Sequence, residues 1–522
     1  MNLSDMLAKD AWMYPDETAL IELAPSKNLR KEITWGEFDE RANRIANALV
    51  DMGIKKGDRV LHLMRNSIHW LEAYFGVIRT GAWAVPLNFR FGTSDIKYCA
   101  DIAEAKAMIL AEEFIERVEP IRSQLPTIRS YILIGQKLPE GMEDFEDVIA
   151  KSSPKPVGVE LKEEDECGLY FTSGTTGVPK PILLTHRNME AAAVTEHAHH
   201  YQTRSDNFIL IPPLYHCGAK MHWFGSLLIG GRATLLTEVS PQYVFDTVDK
   251  ERGTIVWLLV PWVHDILVAM DRGELKKEDY DLSCWRLMHI GAQPVPPNLV
   301  KRWKEYFPDM KYDTNYGLSE ASGPGCVHLG VENEHKVGAI GKAGFGWKAR
   351  IIDDKGKDLS RGELGELLVK GAAVMKEYYK NPKKTAETIK DGWLYTADLA
   401  REDKDGFIYI VDRKKDVIIS GGENIYPVEI EDTIRNHPKV YDVGVIGLPD
   451  ERLVEVVAAI VKPKPGENLT RMEINEFCEQ NLPKYKRPRR VIFDDVPRNP
   501  IGKILKAEMR EKYTGVKESF KI

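Results

Sequence analysis

The sequence predicts an α/β protein: a large N-terminal domain of mostly parallel sheets flanked by helices, a small β-barrel-like part, and a small mobile α+β domain at the C-terminal end. Three observations carry this expectation. The chain has 522 residues, more than one hydrophobic core usually organises, so at least two domains are expected. Its first part alternates helical apolar spacing with short apolar runs, the pattern of successive β–α–β units. Beyond about residue 330 short alternating strands take over, and after residue 428 a compact mixed unit follows.

Phe38, Ala42, Ile45, Ala46, Leu49 and Val50 recur at helical spacing, and Gly53 is placed to end that helix. RVLHLM (59–64) reads as a strand, Asn66 as the cap of a helix over 70–78, and AVPLN (84–88) as the next strand. Further strands are expected at 207–213, 232–236, 254–260 and 286–290. The longest apolar run, TIVWLLVPWV (254–263), is too short to cross a bilayer and contains Pro261, so it reads as a strand entering a helix. Then come GELGELLVKG (362–371), GFIYIVDR (406–413), DVIISGG (416–422), a helix over 429–436, and the strands VYDVGVIGLP and VVAAIVKP. We place the domain boundary near Lys415, giving units 1–414 and 415–522.

Apolar residues make up 43% and charged residues 29% of the chain, with a net charge of -7. That balance excludes disorder and gives no reason to expect nucleic acid or an anionic membrane as partner. The N-terminus carries acids and no continuous apolar core, unlike a secretory signal. Six scattered cysteines without a CxxC pair read as reduced thiols. A cytoplasmic enzyme without stable membrane insertion is expected, with a homodimer as an open possibility.

The most informative stretch is GLYFTSGTTGVPKPILLTHRN (168–188). A Walker A loop would place its lysine at the start of a helix. Here prolines flank Lys180 and an apolar run follows, so the reading is strand–loop–strand. Gly174 and Gly177 let the backbone approach an anion, Thr172, Ser173, Thr175 and Thr176 offer hydroxyls, and Lys180 supplies charge. Four more motifs follow in order: NYGLSE (315–320), YTADLA (395–400), DRKKDVIISGGENIYPVEIE (412–431) and PRNPIGKILK (497–506).

Together these motifs resemble the adenylate-forming superfamily of acyl-CoA synthetases, peptide-synthetase adenylation domains and beetle luciferases. The resemblance covers nearly the full length and implies ATP, Mg²⁺ and coenzyme A as cofactors. By it, Tyr316 beside Gly317 stacks on adenine, with Asn315, Ser319 and the turn Gly291-Ala292-Gln293 around the base. Glu320 holds Mg²⁺ with Thr172, Asp398 accepts from the ribose hydroxyls, and Arg413 is a second nucleotide contact. Lys503, which alone would read as a solvated charge, becomes the catalytic lysine bridging substrate carboxylate and α-phosphate. The resemblance also implies a hinge at Lys415, followed by Asp416, and a passage for pantetheine over Gly421 and Gly422. In aryl-CoA ligases the basic run meets the CoA nucleotide, which marks Tyr485, Arg487 and Arg489; a solvated basic face is the plainer reading. His216 either gates the carboxylate or packs.

The chain departs from the family pattern at Pro181, Ala397, Ser319 and Val454. Ala397 is expected to fit if its φ is negative, and Pro181 removes a backbone donor. The region 212–226 has no acid to pair with an amino group, which argues against an amino-acid substrate. Tyr215, His216, Ala219, Met221, Trp223, Phe224, Ala321 and Ser322 are mainly apolar, favouring a hydrophobic monocarboxylate: aromatic, alicyclic or medium-chain. Lys220 is expected to snorkel to solvent. A CoA ligase is the favoured reading, ahead of an acyltransferase loading a carrier protein and of a luciferase-like oxidoreductase.

Overall fold

The computed structural model describes residues 1–172, 179–292, 295–499 and 502–514. Two sheets dominate. One has eight strands, with Arg59–Leu63 parallel to both Trp83–Pro86 and Ala107–Ala111. The other has seven and includes the parallel run Asn207–Leu210, Arg232–Leu236, Ile255–Leu259, Leu287–Gly291 and Lys311–Asp313. Successive side chains of a strand face opposite sides, and here both sides are covered. Val60 joins the central core while Leu61 and Leu63 join an outer one. Phe208 and Leu210 face the central core, and Ile209 faces a third. Helices Trp35–Asp51, Ile68–Arg79, His186–His200 and Cys217–Leu227 contribute to the central core between the two sheets.

The long helix starts at a capping box, Thr34 with Glu37, and Gly53 follows its end at φ +87°. The expected cap of the next helix is corrected: Ser67, not Asn66, accepts from the Trp70 amide. Asn66 instead ties the sheets' ends together, donating to the Ile211 and Pro212 carbonyls and accepting from the Leu214 amide. The apolar run at 254–263 is a strand, Ile255–Leu259, entering helix Val260–Asp271, with Pro261 in its first turn.

The small barrel-like part is antiparallel and includes Trp347–Ile352, Gly365–Gly371, Trp393–Glu402 and Ile408–Arg413. From Ile418 onward the buried side chains cluster among themselves, on strands Val440–Asp450 and Val454–Pro463 and helices Pro427–Arg435 and Arg471–Asn481. All six cysteines are free thiols. Among the described residues no helix is long and apolar enough to cross a membrane.

Candidate functional site

The glycine-rich loop connects two antiparallel strands, Glu166–Thr172 and Lys180–Thr185, with Thr172 and Lys180 opposite each other at its mouth. Ser173, Gly174, Thr175, Thr176 and Gly177 lie outside the described residues. Pro181 does not break this hairpin. Its carbonyl accepts from the Tyr379 amide, on the side away from strand Glu166–Thr172. In an extended strand the N–H and C=O of one residue point the same way, so the donor that proline lacks belongs to that outer side.

Three residues from separate motifs meet at the end of the barrel-like sheet. Asp398 and Arg413 are cross-strand partners, and the Arg413 guanidinium pairs with Asp398 Oδ1 at 2.9 Å. The Tyr316 hydroxyl donates to Asp398 Oδ2. Asp398 is thus buried with both oxygens engaged. Gly317 is required by close approach: a Cβ there would lie 2.0 Å from the Gly323 carbonyl oxygen. Ser319 opens the turn Ser319–Ala321, and its carbonyl accepts from the Ser322 amide.

Glu320 sits in that turn, and its Oε1 accepts from the Tyr378 hydroxyl at 2.6 Å. Burial beside this carboxylate pushes the Tyr378 phenol up, so it stays a donor. Sequence reasoning missed Tyr378, whose position beside Glu320 comes from the short strand Glu377–Tyr378 pairing with Lys180–Thr185. Among the described residues Glu320 Oε2 carries no hydrogen bond. A carboxylate oxygen and the Thr172 hydroxyl are hard donors that fit Mg²⁺.

Lys503 follows a tight turn. Its amide donates to Asn499 Oδ1 and its carbonyl accepts from the Asn499 amide, both at 2.9 Å. Arg498 anchors the turn through a double contact to Asp442 at 2.6 and 2.7 Å. Burial, then the nearby Arg413 charge, holds the Lys503 ammonium down to about 8, with Asp398 and Asp416 opposing and Lys415 adding to the effect. The structure therefore brings Lys503 into the electrostatic reach of the Tyr316–Asp398–Arg413 assembly from the far end of the chain. Lys415 is exposed, its ammonium lowered chiefly by desolvation, and its neighbour Asp416 pairs with Arg510 at 2.9 Å.

Other expected residues are placed differently. Gly291 ends its strand and Ala292 follows at φ +70°, while Gln293 lies outside the described residues. The Asn315 amide nitrogen turns into a buried polar cluster, donating to Glu196 Oε1 at 3.0 Å. Gly421 and Gly422, at φ +60° and +88°, form the exposed tip of a two-residue hairpin between Ser420 and Glu423. Tyr485 is exposed, and so is Arg489. Arg487 is committed to Glu479 Oε1 at 2.7 Å and to the Leu482 carbonyl.

Two expectations are corrected. Lys220 does not snorkel: it is fully buried, its Nζ has no hydrogen-bond partner among the described residues, and it faces the rings of Tyr170, Tyr74 and Trp70 at 4.3, 5.4 and 5.7 Å. Burial lowers it to about 8. Ala397 has φ +59°, not a negative φ, so it holds the left-handed conformation that glycine adopts without strain. Val454 shares that fate at φ +73°. His216 caps helix Cys217–Leu227 by position only, with Nε2 unpartnered among the described residues; burial, then Lys220, lowers it to about 3, which keeps it neutral. Trp223 and Phe224 pack in the central core, Trp223 donating to the Gly231 carbonyl and Phe224 lying 5.9 Å from Phe75.

Comparison with known proteins decides the family. The AMP-binding enzyme model matches residues 7–379, and the model of the C-terminal domain of AMP-binding enzymes matches 429–503. The chain belongs to the AMP-binding enzyme family. Among its relatives, the long-chain-fatty-acid–CoA ligase FadD13 of Mycobacterium tuberculosis is 32% identical over 518 residues, covering 98% of this chain and 99% of the relative. Feruloyl-CoA synthase of an Amycolatopsis species is 34% identical over 484 residues, covering 92% and 94%. The crystal structure of the anthranilate CoA ligase AuaEII with anthranoyl-AMP superposes with a TM-score of 0.90 at 26% identity, covering 98% and 97%. All three are acid–thiol ligases, and the enzyme class expected from the motifs stands.

Proposed function

We propose that this chain is an AMP-forming carboxylate–CoA ligase of two units, 1–414 and 415–522. The observation that carries the reading is the convergence of Tyr316, Asp398 and Arg413 with Lys503, drawn from four motifs spread over almost two hundred positions. In the first half-reaction the substrate carboxylate attacks the α-phosphorus of ATP, and pyrophosphate leaves. In the second, the thiol of CoA attacks the acyl-AMP carbonyl and AMP leaves.

Tyr316 offers a ring for the base, and Asp398 can exchange the Tyr316 hydroxyl for a ribose hydroxyl as partner. Arg413 orients Asp398 through its ion pair at 2.9 Å. Lys503 places a cation between the substrate carboxylate and the α-phosphoryl oxygens, where two anions must approach. Thr172 and Glu320 would hold Mg²⁺, which when bound offsets charge on the departing pyrophosphate. Tyr378 fixes the Glu320 carboxylate.

The present arrangement, with Lys503 turned inward and the Gly421–Gly422 hairpin exposed, suits the first half-reaction. Rotation about Lys415 would withdraw the lysine and bring the hairpin over the site for the thiol. Tyr485 and Arg489 are exposed and available for the CoA nucleotide, whereas Arg487 would first have to leave Glu479. The substrate we propose is a hydrophobic monocarboxylate, supported by the absence of an acid in 212–226 and by relatives that act on long-chain fatty acids and on a feruloyl group.

The test is pyrophosphate and AMP release with ATP and Mg²⁺ across benzoate, cyclohexanecarboxylate and straight-chain acids, each with and without CoA. CoA-dependent turnover that Lys503→Ala abolishes supports the ligase. Pyrophosphate release indifferent to CoA would assign the acyl group to a carrier protein instead.

A further inference from the structure

Behind Asn315 lies a cluster that the proposed chemistry does not use. Glu196 and His200 come from the last turns of helix His186–His200, and His222 from helix Cys217–Leu227. His289 and Asp313 are register partners on adjacent parallel strands, and His328 is the register partner of Asn315. All six side chains are buried, at 2% exposure or less. Five segments scattered over more than a hundred positions thus deliver two carboxylates and four imidazoles to one place.

The donors converge on a single oxygen. Asp313 Oδ2 lies 3.0 Å from His200 Nε2, 3.1 Å from His328 Nδ1 and 3.5 Å from His289 Nδ1. His200 Nε2 and His289 Nδ1 are 3.2 Å apart. Tetrahedral coordination with metal–nitrogen and metal–oxygen bonds of about 2.0–2.1 Å puts neighbouring ligand atoms about 3.3–3.4 Å apart. The separations among His200 Nε2, His289 Nδ1 and Asp313 Oδ2, from 3.0 to 3.5 Å, bracket that spacing.

The opposite side of each donor is occupied by a group that orients it. His200 Nδ1 and His328 Nε2 both face Glu196, each at 3.6 Å. His289 Nε2 meets His222 Nε2 at 2.9 Å, and His222 Nδ1 meets the Gly218 carbonyl oxygen at 2.9 Å. Asp313 Oδ1 accepts from the Gly330 amide at 2.9 Å. Partners of this kind fix the tautomer and ring angle of metal-bound imidazoles.

The chain of tautomers has a consequence. The Gly218 carbonyl only accepts, so His222 carries its proton on Nδ1 and presents a lone pair at Nε2. His289 must then donate from Nε2, which leaves its Nδ1 as a lone pair aimed at the carboxylate oxygen Asp313 Oδ2. Two lone pairs facing each other in a buried site repel unless a proton or a metal cation lies between them. His328 Nδ1, His200 Nδ1 and Glu196 Oε2 are likewise buried without a hydrogen-bond partner among the described residues. A divalent cation would also offset the charge of the two buried carboxylates.

We propose that His200, His289 and Asp313 bind a divalent first-row transition-metal ion, zinc being the best match to two imidazole nitrogens and one carboxylate oxygen, with His328 Nδ1 beside Asp313 Oδ2 at 3.1 Å. The ion would pin strand Lys311–Asp313, which leads into Asn315–Leu318, to strand Leu287–Gly291 and to the end of helix His186–His200. Its role would be structural, since all three ligands are fully buried and none belongs to the proposed catalytic set.

The test uses the tag-free full chain, purified without chelator and analysed for manganese, iron, cobalt, nickel, copper and zinc. The expected result is about one equivalent of one such ion per chain, lost in His289→Gln and Asp313→Asn but kept in His62→Gln, a buried histidine outside the cluster. Cobalt(II) added to chelator-stripped wild-type protein should give the intense visible bands of tetrahedral nitrogen–oxygen coordination, and stripping should lower Tm. The cobalt spectrum keeps the test decisive if a variant does not fold. Less than about a tenth of an equivalent, with no tetrahedral cobalt bands, would overturn the proposal. So would metal content that survives both ligand substitutions.

Discussion

Lys503 and Lys220 reach the same acidity by different routes. Burial brings both ammonium groups to about 8. Lys503 sits on a turn among opposed charges, Asp398 and Asp416 against Arg413 and Lys415. Lys220 sits in a helix inside the central core, and no carboxylate answers it; three aromatic rings do. A depressed lysine is therefore no signature of catalysis by itself. What separates the two is whether charged groups from other elements are arranged around the ammonium and whether its segment can move away.

The largest expected effect separates them outright. Lys503→Ala should lower the rate of acyl-AMP formation by about 10²–10³-fold while leaving Tm unchanged, as expected for a lost preorganised charge; thioester formation from supplied acyl-AMP should be largely spared. Stopped-flow pyrophosphate release and calorimetry check this, and equal loss of both half-reactions would make Lys503 structural.

Lys220→Met should do the reverse. It removes a desolvated cation from the core and should raise stability by roughly 1–3 kcal/mol at neutral pH, less whatever the ring contacts contribute. Denaturant titration reads it. The sign of the pH dependence follows: the unfolded lysine binds its proton more tightly, so the penalty is greatest below about 8 and fades as pH rises toward the ordinary lysine range. Wild-type and Lys220→Met stabilities should converge in alkali.

The same acidity at Lys503 reads out in rate. The ammonium form is the one that bridges two anions, so kcat/KM for adenylation should fall about tenfold per pH unit above about 8. Lys503→Arg should remove that limb even if its maximal rate is lower. A limb unchanged in the arginine variant would assign it to another group.

The smallest effects concern two backbone positions. Ala397→Gly and Val454→Gly should each stabilise by about 0.5 kcal/mol or more, because a left-handed φ costs a side chain about 1–2 kcal/mol and glycine's greater unfolded freedom returns only part of that. Val454 should gain more, being β-branched. No gain at either position would mean that the Cβ contacts outweigh the strain.

These residues also show what the sequence could reveal. The loop hairpin, the glycine pair after Ser420 and the parallel core were legible because local backbone chemistry sets them. Gly317 was legible as part of a motif, though its reason, a backbone passing at Gly323, is tertiary. The burial of Lys220 was not legible: helix Cys217–Leu227 is buried on every side, so no polar face shows where a charge would point. The sign of φ at Ala397 depends on a register shift of strand Trp393–Glu402 against strand Gly365–Gly371. The histidine cluster is invisible in one dimension, because only Glu196 and His200 share an element and the rest meet them only when five segments fold.

The cross-strand rung between Asp398 and Arg413 has one more implication. The carbonyl of Ala397 still accepts from the Lys414 amide at 3.0 Å, a distance typical of a ladder bond, and the strand pairing stops there. Under the proposed rotation, a pivot at Lys415 begins two residues beyond the Asp398–Arg413 pair proposed to hold the nucleotide. The grip would then belong to the stator and the lysine to the rotor, and the machine would change tools without setting down its workpiece.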